Sequence, residues 1–296
     1  MSLIGTLFDA PSRLTALDPV AARAGALADR LLPGGRVRAL LHGRPFGHPA
    51  HPAMAMLPVG TSISALLLDA AASALPGSRG LHAPARGLAA VALASAVPTA
   101  LAGWADYTGL HRDQQRTALV HATGNAVAVT CWAASMLAGR RAALLRTAGT
   151  LAAGAAGALG GHLSYRWAAG ANHAEHLPHL AGAARREHVD IGALEDLPDG
   201  ELTRRHAGDA PLCVLRRGSS VRALTDTCTH LGAGLHGGEV REGPGGPEVV
   251  CPWHGSAFRF DDGRVVDGPA TAPQPAVDVR VADGRVLVRV DGPPQS

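Results

Sequence analysis

The sequence predicts a two-domain protein, in which an all-α four-helix transmembrane bundle is followed by an all-β domain. Long apolar helical runs are confined to the first part of the 296-residue chain, and short alternating segments with Gly, Asp and Pro turns follow from about residue 189. The charge changes at the same place: residues 1–186 hold 16 Arg and 7 acidic residues, a net +9, whereas residues 187–296 hold 11 Arg and 17 acidic residues, a net −6. Such an asymmetry is typical of a membrane-facing part joined to a soluble part.

The composition predicts four consecutive regions and excludes one class of partner. The overall charge is only +3, and no basic stripe is interleaved with aromatic residues, so nucleic acid is not expected to bind. Cys131 and Cys213 fall in different domains, which makes a disulfide between them improbable and indicates a reducing compartment.

The predicted regions are an N-terminal amphipathic, interfacial segment (1–46), the transmembrane domain (47–168), a linker (169–186) and the β domain (187–296).

Four runs are long enough to cross a hydrocarbon core about 30 Å thick, which takes roughly 17–25 mostly apolar residues. Asp69 is their only acidic residue, and they lack the polar face that a helix on the surface of a soluble protein would show. An even number of spans places both tails on one side of the membrane, and the flanking arginines slightly favour the cytoplasm for that side. The four runs are residues 53–75, 87–104, 118–138 and 147–163.

Several histidines come to the same membrane level when the chain is traced through alternating spans. His48 and His51 precede the first span, His121 opens the third, and His162 ends the fourth. Imidazoles that meet at one depth between helices are how a bundle holds a haem iron or another metal. We therefore predict a second redox or metal site at His48, His51 and His121, with haem b as its cofactor. The alternative is a set of interfacial histidines that bond to lipid headgroups and helix ends.

Asp69 lies well inside the first predicted span. A carboxylate within a membrane is energetically costly and is therefore a functional hypothesis by default, here a proton site. The alternative is a structural role in which Asp69 bonds to hydroxyl neighbours such as Thr61 and Ser64.

The bundle carries sequence features of a known group of proteins. Residues 47–52 read Gly-His-Pro-Ala-His-Pro, residues 57–60 read Leu-Pro-Val-Gly, and residues 160–166 read Gly-Gly-His-Leu-Ser-Tyr-Arg. With Asp69, these runs resemble a family of four-helix bacterial membrane domains that has no established activity. The resemblance covers about residues 43–170. It supports the four spans, and we expect a multi-pass protein of the bacterial inner membrane.

The second part of the chain predicts a small antiparallel sandwich or barrel, because short alternating segments are separated by turn residues. Asp283-Gly284 between the last two segments is a direct hairpin signal. The predicted strands are residues 201–206, 211–216, 221–225, 248–250, 276–281 and 286–290.

Two short motifs within this β framework each carry one thiol and one imidazole. They are Cys228-Thr229-His230 and Cys251-Pro252-Trp253-His254. This mixed set suits a [2Fe–2S] cluster in which two thiolates hold one iron and two imidazoles hold the other. A single Cys₂His₂ zinc site has the same ligands and is the alternative. Zinc fingers, however, space their ligands differently and place a helix after them, whereas glycine-rich loops follow here.

The motifs and the residues after them resemble those of Rieske iron–sulfur proteins. Residues 228–232 read Cys-Thr-His-Leu-Gly, residues 251–258 read Cys-Pro-Trp-His-Gly-Ser-Ala-Phe, and residues 268–270 read Gly-Pro-Ala. The resemblance covers about residues 187–292. It implies a [2Fe–2S] cluster whose irons are held by the cysteine pair and the histidine pair, with a hydrogen bond from Ser256; the ligands are Cys228, Cys251, His230 and His254.

Three positions refine this resemblance. Ala233 and Trp253 stand where the Rieske subunits of cytochrome bc complexes carry disulfide-forming cysteines, so the domain is similar to the ferredoxin and oxygenase type. Phe258 stands where high-potential relatives carry Tyr, and it has no hydroxyl group to donate. We therefore expect an intermediate to low reduction potential.

Together these features predict a membrane-anchored Rieske protein that transfers single electrons, associated with an oxidoreductase. One alternative is a non-enzymatic redox sensor, and another is a ferredoxin-like component of a larger oxidoreductase or oxygenase system. The expected partners are the lipid bilayer and either a redox protein or a quinone.

Overall fold

The computed structural model describes residues 3–32 and 34–290, which divide into two compact units. As far as it is described, the first unit comprises Met1–Gly34 and Pro49–Ala169, and the second comprises Gly35–His48 and Gly170–Ser296. The first unit is helical and the second is built on β-sheets, which confirms the predicted order of a helical part and an all-β domain. Residues 35–48 join the second unit, although the sequence groups most of them with the interfacial segment.

Helices occupy most of the first unit and continue into the segments that flank it. Short 3₁₀ turns at Arg79–Leu81 and Gly139–Arg141 lead directly into two of the long helices. The described α-helices are α1 (Leu3–Asp9), α2 (Asp18–Leu31), α3 (Arg36–His42), α4 (Ala50–Ala74), α5 (His82–Tyr107), α6 (Arg112–Ser135), α7 (Ala142–Tyr165) and α8 (Leu177–Leu180).

The four long helices α4 to α7 form a bundle with small residues at its contacts. α4 packs against α5 and α7, and α6 packs against the same two helices. Ala85, Ala89 and Ala92 recur on one face of α5 and are almost completely buried. Small side chains of this kind let helix backbones approach closely, which is the usual way that membrane helices pack.

Within the described residues, three helical stretches are long and apolar enough to cross a membrane: Ala50–Ala74, Arg79–Tyr107 and Gly139–Arg166. Pro98 lies inside α5 and does not end it. The third predicted span, residues 118–138, overlaps most of α6, whose first turns carry Arg112, Asp113 and Arg116. Because α6 is not among the three stretches, its crossing of the membrane stays a prediction.

The β domain consists of antiparallel sheets with short connections. In the described part, the strand orders are β1-β10-β9, β2-β3-β4 and β5-β6-β7-β8. The strands are β1 (Val189–Ala193), β2 (Leu202–Ala207), β3 (Ala210–Arg217), β4 (Ser220–Thr225), β5 (Glu239–Gly243), β6 (Gly246–Val250), β7 (Ala257–Arg259), β8 (Val265–Asp267), β9 (Val277–Ala282) and β10 (Arg285–Val290).

Strand β3 separates two hydrophobic cores, because successive side chains of a strand point to opposite faces. Leu212 and Val214 enter a core with β4 and β10, whereas Cys213 and Leu215 enter the core that holds Cys228 and the second motif. Strand β3 therefore contributes side chains to both cores, including the core that lies beside the two motifs.

The predicted strands correspond to β2, β3, β4, β6, β9 and β10, with ends shifted by one or two residues. The predicted hairpin turn joins β9 to β10, and Asp283 and Gly284 both have positive φ values, 50° and 72°. Two successive positive φ values define the I′ turn that Asp-Gly favours. Strands β1, β5, β7 and β8 are not predicted from the sequence; β7 and β8 contain only three residues each.

Residues 170–186, which the sequence places in a linker, pack onto the β domain. Ala181 and Ala184 are completely buried in the core beside β10, and Leu177 of α8 is also buried. The backbone amide of Asp209 donates to the carbonyl oxygen of Leu180 at 3.0 Å. This connection is therefore an ordered part of the second unit.

Candidate metal centre

The first motif forms a tight loop after β4. The amide of Cys228 donates to the carbonyl oxygen of Ala233 at 2.8 Å, and the amide of Gly232 donates back to the carbonyl oxygen of Cys228 at 2.9 Å. Gly232 has a φ of 83°, a conformation that favours glycine. The loop thereby turns the Cys228 side chain into the core between the strands.

The second motif forms the same loop between β6 and β7. The amide of Cys251 donates to the carbonyl oxygen of Ser256 at 2.8 Å, and the amide of Gly255 donates to the carbonyl oxygen of Cys251 at 3.2 Å. Gly255 has a φ of 71°. Each loop thus places its cysteine at the same point of one backbone pattern, while the histidine follows two residues later in the first loop and three in the second.

The two cysteine side chains meet between the loops and are buried. The Cys228 thiol donates to the Cys251 sulfur; this bond, with the amides of Trp253 and His254, lowers the pKa of Cys251 to about 6. The same contact, together with burial, raises the pKa of the Cys228 thiol. Amide donors at each sulfur favour the thiolate form that binds a metal.

The two histidines of the motifs lie side by side nearer to the surface. The ring centroids of His230 and His254 are 5.0 Å apart with an interplanar angle of 87°. Both residues are partly exposed, in contrast to the buried cysteines. The donor set is therefore layered, with a sulfur pair inside and an imidazole pair outside.

This arrangement fits the [2Fe–2S] cluster that the sequence implies. A cluster of this type takes two thiolates on one iron and two imidazoles on the other, which matches the paired layers. The backbone amides of His230 and Leu231 also donate to the Cys228 sulfur, as those of the second loop do to Cys251. Hydrogen bonds of this kind tune the potential of an iron–sulfur centre.

Ser256 is fully buried beside the second loop. Its hydroxyl oxygen accepts a hydrogen bond from the amide of Ala270 at 3.1 Å, which leaves the hydroxyl proton available for a second partner. Gly268 approaches so closely that a Cβ atom there would lie 2.5 Å from the Cα of Ser256. The Gly-Pro-Ala segment thus packs directly on the serine that is predicted to bond to the cluster.

Asp226 and His236 stabilise the first loop and were not predicted from the sequence. The buried Asp226 carboxylate accepts the amide of His236 at 2.7 Å, and its other oxygen lies 2.7 Å from Nδ1 of the same residue. The backbone of Asp226 also accepts the amide of Leu235 at 2.7 Å. The sequence signal for these hydrogen bonds is only an Asp two residues before the first cysteine.

Both segments that connect the second unit to the bundle contact the cluster site. The amide of His173 donates to the carbonyl oxygen of Thr229 at 3.0 Å, in the first loop. The guanidinium of Arg44 donates to the carbonyl oxygen of Val266 at 2.6 Å and lies 3.9 Å from the carboxylate of Asp267, just before the Gly-Pro-Ala segment. Sequence patterns do not reveal these contacts, since more than 200 residues separate Arg44 from Val266.

Replacing Arg44 with Ala is expected to loosen β8 and the segment that follows it. A hydrogen bond from a charged donor contributes roughly 1.5–3 kcal/mol, so the loaded protein should lose its visible absorption at a temperature lower by roughly 4–10 °C. Arg280→Ala, which removes an exposed arginine of the same unit, is the matched control and should shift it by no more than about 1 °C. Equal shifts in both variants would contradict this role for Arg44.

The predicted second redox site is only partly assembled. The rings of His51 and His121 meet in the bundle with centroids 6.0 Å apart. His48 belongs to the second unit, where its ring packs against Phe46. His162 lies 2.9 Å from the carboxylate of Asp9 and forms no part of that pair.

Asp69 has partners that differ from those expected. The guanidinium of Arg146 donates to both carboxylate oxygens at 2.6 Å, and Nδ1 of His82 lies 2.7 Å from one of them. Thr61 and Ser64, the partners named in the alternative, instead donate their hydroxyl protons to backbone carbonyls of α4. The up-down order of the helices brings the end of α4 to the starts of α5 and α7, which is the signal that could have predicted Arg146 and His82. A proton site at Asp69 stays a prediction.

Comparisons with known proteins agree with the centre just described. Residues 187–282 match the family described as Rieske [2Fe-2S] domain. The chain is 37% identical over 101 residues to Ferredoxin CarAc of Metapseudomonas resinovorans, covering 34% of this chain and 91% of that protein. It is 33% identical over 111 residues to the anthranilate 1,2-dioxygenase ferredoxin subunit of Burkholderia cepacia, covering 38% and 99%.

A further relative is a subunit of a cytochrome complex. Over 100 residues the chain is 29% identical to the cytochrome b6-f complex iron-sulfur subunit of Chlorobaculum tepidum; the match covers 34% of this chain and about half, 52%, of that protein. These relatives are ferredoxins and iron–sulfur subunits. Through residues 187–282, the chain belongs to the Rieske [2Fe-2S] family.

Proposed function

We propose that the chain is a membrane-anchored electron carrier that transfers single electrons within an oxidoreductase system. Cys228 and Cys251 would hold one iron of the cluster, and His230 and His254 would hold the other. When bound, the cluster supplies a one-electron couple with a potential between about −150 and +300 mV. The chain's own residues bury the thiolates, orient the imidazoles and set the hydrogen bonds around the sulfurs.

The layering of the four ligands is the observation that carries this proposal. The cysteines are 1% and 4% exposed, whereas both imidazoles reach the surface. Trp253, between the second cysteine and its histidine, is 53% exposed. An electron partner that docks on this face would contact the imidazole side directly, without displacing the loops that shield the sulfurs.

A role as the ferredoxin component of a larger oxygenase or oxidoreductase system is a second candidate. It is supported by the two ferredoxin relatives and by Ala233 and Trp253, which occupy the positions of the disulfide cysteines in bc-type subunits. A redox sensor without turnover is the remaining alternative. Sustained electron flow from a donor to an acceptor protein would favour a carrier; redox-dependent change in the bundle without turnover would favour a sensor.

The proposed location is the bacterial inner membrane, with the bundle as a multi-pass anchor and the Rieske domain on the cytoplasmic side. Three apolar helical stretches and the basic charge of the first part support it. A quinone or a redox protein would be the partner at the membrane. Protease digestion of right-side-out and inverted vesicles tests the orientation, because the Rieske domain should be cleaved only in inverted vesicles.

Metal analysis and EPR spectroscopy of the purified full chain test the proposed centre. We expect two irons and two acid-labile sulfides per chain, and an EPR signal of a spin-½ cluster after reduction by one electron. One zinc per chain and no such signal would support the Cys₂His₂ zinc site instead.

Replacing Ser256 with Ala is expected to lower the midpoint potential. A hydroxyl that donates to the cluster stabilises its more negative reduced state, so its loss disfavours reduction. One hydrogen bond is worth roughly 0.5–1.5 kcal/mol, which corresponds to roughly 20–60 mV for one electron. Protein-film voltammetry measures the shift, and Ser220→Ala on the exposed end of β4 is the control. A potential unchanged in Ser256→Ala would remove this hydrogen bond from the proposal.

Haem b belongs to this proposal only as a second centre at His51 and His121. The contact between their rings supports it. His48, the third predicted residue, lies with Phe46 in the second unit and is not included.

A further inference from the structure

Two histidines meet inside the helical bundle, on helices that do not neighbour each other. α4 and α6 each pack against α5 and α7, so they face one another across the bundle. His51 lies near the start of α4 and His121 in the first half of α6. Their rings approach with centroids 6.0 Å apart and planes at 83°. The two imidazoles therefore meet inside the bundle, towards the end at which α4 begins.

Each imidazole is held by a backbone carbonyl of the next helix. Nδ1 of His51 lies 2.9 Å from the carbonyl oxygen of Thr99 in α5, and Nδ1 of His121 lies 2.7 Å from that of Ala156 in α7. A carbonyl oxygen only accepts hydrogen bonds, so Nδ1 carries the proton in both rings and Nε2 keeps its lone pair. Histidines that bind metals are oriented in this way.

A glycine lies beneath each ring, at the same position relative to the carbonyl. Gly103 is four residues after Thr99, and a Cβ atom there would lie 2.9 Å from Nδ1 of His51. Gly160 is four residues after Ala156, and its Cβ would lie 3.0 Å from Cε1 of His121. Glycine within a helix costs about 1 kcal/mol relative to Ala. In α5 and in α7, this loss of stability occurs at the position where the absence of a side chain makes room for an imidazole.

The spacing of the rings matches one iron between two imidazoles. Ligating nitrogens about 2 Å from a metal on its opposite sides place the ring centroids about 6 Å apart. Asn125 donates to Nε2 of His121 at 3.2 Å, which shows that this nitrogen is an acceptor. Within the described residues, no third His, Cys, Asp or Glu joins the pair. A pair of axial imidazoles is the protein's share of the ligands in a six-coordinate haem, since the porphyrin supplies the other four.

We propose that His51 and His121 are the axial ligands of a haem b in the bundle, with Gly103 and Gly160 as the seats of their rings. The helices around the pair carry small residues at their contacts, such as Gly124 against Ala156. Such a haem would give the electron carrier a second one-electron centre, and in that respect its purpose rests on the proposed function.

The test is haem binding by the full chain, purified in detergent and reconstituted with iron protoporphyrin IX. We expect one haem per chain by pyridine haemochrome assay and the Soret band of a low-spin six-coordinate haem. Nearly perpendicular imidazole planes should also give the ferric protein a strongly anisotropic low-spin EPR spectrum. His51→Ala and His121→Ala should each lose the low-spin form, and Gly103→Leu should lower haem occupancy at least tenfold while both imidazoles are retained.

His162→Gln, a histidine of the same bundle outside the pair, is the matched control and should bind haem like the unaltered chain. The signal of the Rieske cluster is recorded in every sample, so its persistence in haem-free variants separates failure of this proposal from failure of the proposed function. The proposal is overturned if the unaltered chain takes up no haem. Low-spin haem in His51→Ala and His121→Ala, or a zinc or copper ion bound by these histidines in place of haem, would overturn it equally.

Discussion

Replacing Cys251 with Ser is expected to abolish the iron–sulfur centre. The Cys251 sulfur is buried and accepts the amides of Trp253 and His254, so it is built to bear the negative charge of a thiolate. A serine hydroxyl ionises far less readily and is a poor ligand for this type of cluster. Iron and sulfide in the purified chain should fall to less than about a tenth of the unaltered protein, with loss of the visible absorption and of the EPR signal.

Cys213→Ala is the control for this loss. Cys213 is completely buried in the same core but belongs to neither Cys/His motif, so we expect no ligand role for it. This variant should retain the cluster, with a somewhat lower stability from the small cavity. If Cys251→Ser kept two irons per chain, or if Cys213→Ala lost them, the ligand assignment would be wrong.

Replacing Arg146 with Met is expected to destabilise the helical bundle by about 3–5 kcal/mol, because it leaves the carboxylate of Asp69 buried without its cation. Both side chains of the pair are only 3% exposed, so solvent does not screen their interaction. His82 is the remaining hydrogen-bond partner of Asp69 and is itself 42% exposed. Thermal or denaturant unfolding in detergent, followed by helical circular dichroism, measures the loss.

The double variant Asp69→Leu with Arg146→Met separates an ion-pair effect from a packing effect. Replacing both partners of a buried pair by apolar residues is often neutral or stabilising, so the double variant should regain most of the stability. Arg140→Met, on an exposed arginine at the same end of the bundle, should be close to neutral. If the double variant were less stable than Arg146→Met alone, packing rather than charge would govern this site.

The sequence predicts most of the Rieske domain because its signals are local. Alternating strands, the Asp283-Gly284 turn and the spacing of the two Cys/His motifs each need only a few neighbouring residues. The histidine follows the cysteine by two residues in one loop and by three in the other. The motifs are still recognisable, because the backbone pattern that places Cys228 and Cys251 is the same in both loops. The short strands β7 and β8 lack enough residues to show an alternation.

The partners of charged residues could not be predicted in the same way. Arg146 donates hydrogen bonds to Asp69, which is 77 positions away in the sequence, and Arg44 donates to Val266, which is 222 positions away. Neither pairing has a spacing rule, since each depends on how separate elements pack. The ordered packing of Ala181 and Ala184 was hidden for another reason: a short polar, histidine-containing stretch is also the composition of a linker.

The contact between Arg44 and Val266 has a consequence for biosynthesis. Residues 35–48 leave the ribosome long before the strands against which they pack, and at 5–20 residues per second Arg44 waits roughly 10–45 s for the carbonyl of Val266. The bundle between them is complete by then. The Rieske domain is therefore completed around a segment that was made much earlier, and the Arg44 contact forms only after residue 266 has been translated.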